Sequence, residues 1–309
     1  MPFLASVASR GVVLALLAGS LAVPGEALAF CRSTTCQDSQ GECARDDDGC
    51  KTTGQPLFWK SHCVGFSVQK DGTENLPFDE VTPVIEQSFL AWTDLPCDGG
   101  NATIAFSRLE DVSCHEAEYD SGGPNANIIL FQDDKWTYKA SGDPYDVDNT
   151  LAKTTVTFDP DTGEILDADI ELNYAYNELT VGDDKVVYDL QSILTHEIGH
   201  FIGLDHSSDL DATMNASYSE GDTSLRTLEA DDIAAACAAY PADRPGTCST
   251  TAHGGFADVC STDSSGGGCS TSGARLGAWE DDRAGFALLC SLGLMTVARA
   301  ARRRGALAV

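Results

Sequence analysis

Basic residues are scarce in this chain: 19 Lys and Arg stand against 48 Asp and Glu, a formal charge of −29. Such a surface repels phosphate backbones and excludes nucleic acid as a partner. Long apolar runs are missing too. No stretch reaches the roughly 18 residues that cross a bilayer comfortably. No internal repeat is visible, which argues against a solenoid or propeller. None of the 12 cysteines forms a CxxC pair, the usual mark of a zinc knuckle. Histidine is rare at six residues, yet three of them fall between 196 and 206.

Both ends read as address labels. Arg10 supplies a positive n-region, Gly11–Val23 an apolar stretch, and Ala27-Leu28-Ala29 a small-x-small cleavage site. Residues 1–29 are therefore expected to be a secretory signal peptide cut after Ala29, and Pro24 and Gly25 argue against a membrane anchor. Export makes disulfides the expected state of the cysteines. At the other end, residues 283–309 hold an apolar stretch, Ala284–Ala298, followed by Arg299, Arg302, Arg303 and Arg304. With Cys269 in its Gly-rich setting, this tail resembles the C-terminal sorting tags of myxobacteria: a cysteine, a short apolar helix, then arginines. That resemblance implies processing near Cys269 and attachment to the cell surface, with a simple tail anchor as the alternative.

Between the labels, Cys31, Cys36, Cys43 and Cys50 mark a disulfide-stapled segment over 30–55. Residues 56–242 carry mixed α/β patterning. Val64–Val68, Ala102–Phe106 and Asn127–Phe131 read as strands. Phe78–Trp92, Val187–Phe201 and Thr227–Tyr240 have helical spacing. Leu151–Phe158 and Ile165–Leu172 flank the turn sequence Asp159-Pro160-Asp161-Thr162-Gly163 and predict a hairpin. Residues 243–282 have the Gly, Ser, Thr and Asp content of a linker. Setting aside Cys269 and Cys290 leaves ten cysteines, an even number. Connectivity does not follow from sequence; Cys97 with Cys114 and Cys248 with Cys260 are the pairings expected here.

The chemistry concentrates in Thr195-His196-Glu197-Ile198-Gly199-His200-Phe201-Ile202-Gly203-Leu204-Asp205-His206. His196 and His200 are four apart and project from one helix face, so both imidazoles can bind one zinc ion. Glu197 is rotated off that face and can reach a water without occupying the metal. Gly203 can take the left-handed conformation that ends a helix, and the chain then returns His206 as a third ligand. Three histidines leave the fourth tetrahedral position open, the pattern of a catalytic zinc site. The full HExxHxxGxxH fixes five positions, and histidines merely satisfied on a helix face would not explain all five.

This segment resembles the zinc-binding consensus of the metzincins, and Ser207 after the third histidine makes it similar to the matrixins, the matrix metalloproteases. Met214 in Ala212-Thr213-Met214 matches the methionine of the Met-turn, and Tyr218 the tyrosine lining the specificity pocket. Leu228–Ile233 resembles the start of the family's last helix. The resemblance implies an α+β zincin fold: a twisted mixed β-sheet with an active-site helix and a C-terminal helix. It also implies a zinc-dependent endopeptidase acting on protein or peptide substrates, which add antiparallel to the edge strand near Leu151–Thr157. Asn215 and Ala216 depart from the Tyr-Pro that commonly follows the methionine, and the missing tyrosine two residues on argues against the astacin and serralysin groups.

Alignment with the matrixin strands puts Lys153 and Glu171 where histidines of a second, structural zinc are expected, so one catalytic zinc is predicted. Asp159, Asp161, Asp167 and Asp169 are candidate calcium ligands, against the alternative of an acidic solvated hairpin. No Pro-Arg-Cys-Gly latency motif is present. The expected protein is a monomer, secreted or at the cell surface, touching a membrane only through its tail. The competing reading is a non-catalytic cell-surface binding module that keeps the fold. Glu197 separates the two, because a dead homologue tolerates its loss.

Overall fold

The computed structural model describes residues 29–39, 41–136 and 150–260, and the backbone of 290–297. Its elements run β1 (Cys31–Arg32), β2 (Cys63–Val68), α1 (Phe78–Leu90), β3 (Pro96–Cys97), β4 (Gly100–Asn101), β5 (Ala105–Arg108), β6 (Ile128–Gln132), β7 (Thr150–Phe158) and β8 (Ile165–Asn173). They continue with β9 (Leu179–Thr180), β10 (Tyr188–Asp189), α2 (Leu190–Phe201), β11 (Leu204–Asp205), β12 (Ser217–Tyr218), α3 (Ala230–Ala239) and β13 (Cys290–Val297). The main sheet has the order β12-β13-β7-β8-β6-β2-β5. β5, β2, β6 and β8 are parallel, and β7 returns antiparallel to β8 through the turn at 159–163. This is the α+β arrangement with a mixed sheet that the sequence implies.

α1 and α2 lie against each other and the sheet, with Phe66 stacked on Phe89 at 3.8 Å between ring centroids. Every residue of α2 except Gln191 is buried, so its backbone ends need partners inside the protein. At its start the Asp189 carboxylate accepts from the Ser192 N–H at 2.8 Å. Asp189 is itself gripped by Arg226, through Nε at 2.8 Å and Nη2 at 2.7 Å. At its end the Trp59 indole donates to the Phe201 carbonyl and the Tyr240 hydroxyl to that of Ile202, both at 2.8 Å. The helix that carries the histidines is thus clamped at both ends by side chains distant in sequence.

Two helix starts differ from the spacing-based expectation. α2 begins at Leu190 rather than Val187, because Tyr188 and Asp189 pair in parallel with Leu179 and Thr180. α3 begins at Ala230, where Asp232 turns back to accept the Glu229 N–H at 2.9 Å.

The disulfides correct the sequence-based pairings. Cys97 bonds Cys237, Cys114 bonds Cys260, and Cys63 bonds Cys248. Chain neighbours are not spatial neighbours here: β3, with Cys97, packs on α3, which carries Cys237. Cys31–Cys50 and Cys36–Cys43 close the N-terminal segment, so all ten of these sulfurs are paired. The two bridges to Cys248 and Cys260 also hold residues up to 260 on the domain, although their composition is that of a linker. Asn125 hydrogen-bonds this stretch through its backbone, its N–H donating to Gly255 O at 2.9 Å and its carbonyl accepting from Ala257 N at 3.0 Å.

No described helix is long and apolar enough to cross a membrane. Within the stretch expected to be a short apolar helix, Cys290–Val297 is instead an extended strand against β7. Residues 1–28 of the expected leader, Cys269 and the arginine cluster lie outside the described residues.

Candidate metal centre

Helix α2 projects His196 and His200 from one face, as a four-residue separation requires. It stops at Phe201, and Gly203 follows with φ of +85°. A Cβ at that position would meet the Leu57 carbonyl oxygen at 2.6 Å, so both backbone and space call for glycine. Beyond it β11 pairs with β1, placing Cys31 opposite Asp205 and Arg32 opposite Leu204. The N-terminal segment therefore braces the turn that delivers His206. Gly203→Ala is expected to cost at least about 2 kcal/mol, a fall in Tm of roughly 4–8 °C, which thermal unfolding will measure.

The three imidazoles converge. His200 Nε2 lies 3.1 Å from His196 Nε2 and 3.2 Å from His206 Nε2. His196 Nδ1 is 2.7 Å from the Thr213 carbonyl, and His200 Nδ1 is 2.9 Å from that of Leu204. Carbonyls only accept, so both Nδ1 atoms carry the proton and both Nε2 atoms present lone pairs. Lone pairs facing each other at this separation repel unless a cation lies between them. Zinc–nitrogen bonds of 2.0–2.1 Å in a tetrahedron set adjacent nitrogens about 3.3–3.4 Å apart, close to the spacing seen. Burial, with the neighbouring imidazoles, holds His196 and His200 well below the usual histidine range, His200 at about 3. They are neutral at physiological pH, as metal ligands must be. The donor set fits zinc. Among the described residues it is also the group of three or more His, Cys, Asp or Glu side chains close enough to hold a metal ion.

Glu197 is fully buried beside the triad. Thr154 on β7 donates its hydroxyl to Glu197 Oε2 at 2.6 Å, while Oε1 has no hydrogen-bond partner. Burial pushes this carboxyl up to about 8, and a dication alongside favours its charged form.

A matrixin family profile matches residues 58–241, more than half of the chain. The chain belongs to the matrixin family. It is 34% identical over 188 residues to metalloendoproteinase 1-MMP of Arabidopsis thaliana, covering 60% of this chain and 45% of that one. It is 41% identical over 112 residues to metalloendoproteinase 1 of Glycine max, covering 36% and 35%. With matrix metalloproteinase-C of Caenorhabditis elegans the identity is 26% over 197 residues, covering 62% and 30%. This matrixin thus spans less than half the length of these curated relatives.

The support beneath the triad was not legible as a site. Asp232 accepts the Thr213 N–H at 2.8 Å and the Met214 N–H at 2.9 Å, fixing the turn whose Thr213 carbonyl orients His196. Met214 is buried, and a Cβ on Gly199 would fall on its sulfur. Gly199, next to His200, is therefore the close-approach residue that lets Met214 pack against α2. Asp231 accepts from the Ser207 hydroxyl at 2.6 Å and from the N–H of Ala29, the last residue of the expected leader, at 2.7 Å. Tyr218 is buried, with its hydroxyl accepting from Asp189 N at 2.9 Å and donating to the Asp222 carbonyl. It ties the segment after Met214 to the start of the metal-bearing helix.

The four candidate calcium ligands do not come together in this matrixin. Asp159 accepts from Asp161 N at 2.9 Å and Thr162 N at 3.0 Å within an exposed turn. Asp167 and Asp169 are buried on β8 and hydrogen-bonded to one another. Burial pushes both carboxyls well above the usual range; the Asp167 charge raises Asp169 further, while the hydrogen bond with Asp169 partly offsets the rise at Asp167. A carboxyl raised on folding stabilises below its unfolded pKa and loses that stability as pH rises through its folded value. Asp167→Asn is therefore expected to raise Tm by about 2–4 °C at pH 8 and to change it little at pH 5. A fall at both pH values would point to a carboxylate needed by a cation. Lys153 and Glu171 are buried directly opposite each other on β7 and β8, and Gln132 donates to Glu171 at 3.0 Å.

Proposed function

We propose that this chain is a secreted zinc-dependent endopeptidase that hydrolyses peptide bonds with Glu197 as general base and then general acid. The observation that carries it is the buried Glu197 Oε1, without a protein partner, beside three imidazoles whose Nε2 atoms converge. His196, His200 and His206 would hold the zinc, which when bound supplies positive charge to polarise the scissile carbonyl. Glu197 takes a proton from the attacking water as the oxygen adds to the carbonyl carbon. The same carboxyl then passes that proton to the departing nitrogen, so the C–N bond breaks without a covalent enzyme intermediate. Thr154 holds the other carboxylate oxygen and keeps Glu197 aimed through both steps.

Substrate recognition follows from the sheet. The side of β7 over Leu151–Thr157 that β13 covers would take an extended peptide in place of that strand, and strand addition reads backbone more than side chains. Tyr218 and the residues near Met214 shape the pocket after the scissile bond. The remaining assignments are export by a leader removed after Ala29, action as a monomer, and membrane contact only through a tail processed near Cys269. Purified mature protein is expected to carry one zinc and to digest casein or gelatin. Full zinc occupancy without any cleavage would favour the non-catalytic binding module instead.

A further inference from the structure

The edge of β7 has an occupant from the same chain. The backbone of Cys290–Val297 runs antiparallel along it, with Cys290 opposite Val156, Ser291 opposite Thr155 and Leu292 opposite Thr154. On its other side the same segment runs parallel to β12, with Thr296 opposite Ser217 and Val297 opposite Tyr218. It therefore threads the slot between the strand that holds Glu197 through Thr154 and the segment that carries Tyr218. Helix α2 lies against it.

The ladder is regular as far as Leu292 and then breaks. The next partners are Leu294 and Lys153, so Gly293 is an extra residue between positions opposite Thr154 and Lys153. A second irregularity follows before Thr296 meets Thr150. A bulge leaves its extra residue unpaired and frees its backbone groups from the sheet. Here the freed backbone passes beside Thr154, which donates to the Glu197 side chain.

We propose that this segment is a substrate in cis: the chain hydrolyses its own peptide bond on one side of Gly293. The proposal rests on the endopeptidase reading above. One water adds to the carbonyl carbon of Leu292 or Gly293, and the bond from that carbon to the next nitrogen breaks. Glu197 carries the water's proton to the departing nitrogen. The products are a carboxylate at Leu292 or Gly293 and an amine at Gly293 or Leu294, with no oxidation or reduction. The cut separates the domain from the cluster Arg299, Arg302, Arg303 and Arg304 and clears the edge of β7 for other peptides.

The test uses the chain from Phe30 to Val309, uncut at Cys269 and loaded with zinc, followed by intact mass and by N-terminal sequencing of the released peptide. The expected result is a new C-terminus at Leu292 or Gly293, formed at a rate unchanged across a wide dilution series. Glu197→Ala, checked for equal zinc content, is expected to slow that cut at least about 100-fold. A chain that digests casein but keeps its tail intact, or is cut elsewhere, would overturn the inference and leave the endopeptidase reading standing. A rate at Gly293 proportional to concentration would overturn the cis step. If zinc is bound and neither casein nor tail is cut, the endopeptidase reading fails first.

Discussion

Glu197→Ala is expected to lower casein hydrolysis by about 10³-fold while zinc content and Tm stay close to wild type, since general acid–base groups contribute about 10²–10⁴-fold. Glu197 does not ligate the metal in this arrangement, so its loss should leave the three imidazoles in place. Removing a buried carboxyl that burial already disfavours costs little stability beyond the Thr154 hydrogen bond. The informative pattern is therefore a large loss of rate on an unchanged metalloprotein. Glu197→Gln keeps the shape and the Thr154 contact but cannot take a proton, and should be equally slow. A glutamine variant with near wild-type rate would show that Glu197 positions other groups rather than moving the proton.

His200→Ala should act through the metal instead. His200 is the central ligand, within 3.2 Å of both other Nε2 atoms, and its loss leaves two donors where three are needed. Removing even the outer partners of metal ligands typically costs 10–100-fold in affinity, so losing the ligand itself is expected to cost more than about 100-fold. The measurements are zinc per chain after dialysis and residual hydrolysis, and both should fall together. Because zinc binding stabilises the folded state by mass action, Tm should also fall, and adding zinc should not restore it. The contrast is diagnostic: one variant keeps zinc and loses rate, and the other loses both.

These two residues belong to the part of the molecule most legible in the sequence. The 11-residue motif fixes its own local geometry through helix periodicity and one left-handed glycine, so its convergence could be read without the fold. The hairpin of β7 and β8 was likewise readable, since strand patterning flanks a turn sequence. What could not be read depends on contacts between segments far apart in the chain. Asp232 supports His196 from α3, and Thr154 holds Glu197 from β7; each is an ordinary polar residue in its own neighbourhood. The disulfide partners are 140 to 185 residues apart in the three long-range bridges, and no local spacing encodes that. Composition misled twice for one reason. Residues 243–260 read as a linker and Cys290–Val297 as part of an apolar helix, yet the first is set by covalent bridges and the second by strand pairing with β7. The acidic hairpin misled differently: alternate residues share a strand face, but Asp159 and Asp161 lie in the turn, away from the buried pair on β8.

The most direct test of the central claim is to titrate zinc into metal-free wild-type protein and follow casein hydrolysis alongside metal content. Hydrolysis should rise in proportion to bound zinc and level off at one ion per chain, with Glu197→Ala binding the same ion and staying inactive. Hydrolysis that persists without metal, or a Glu197→Ala protein that cuts casein at the wild-type rate once loaded, would contradict the account.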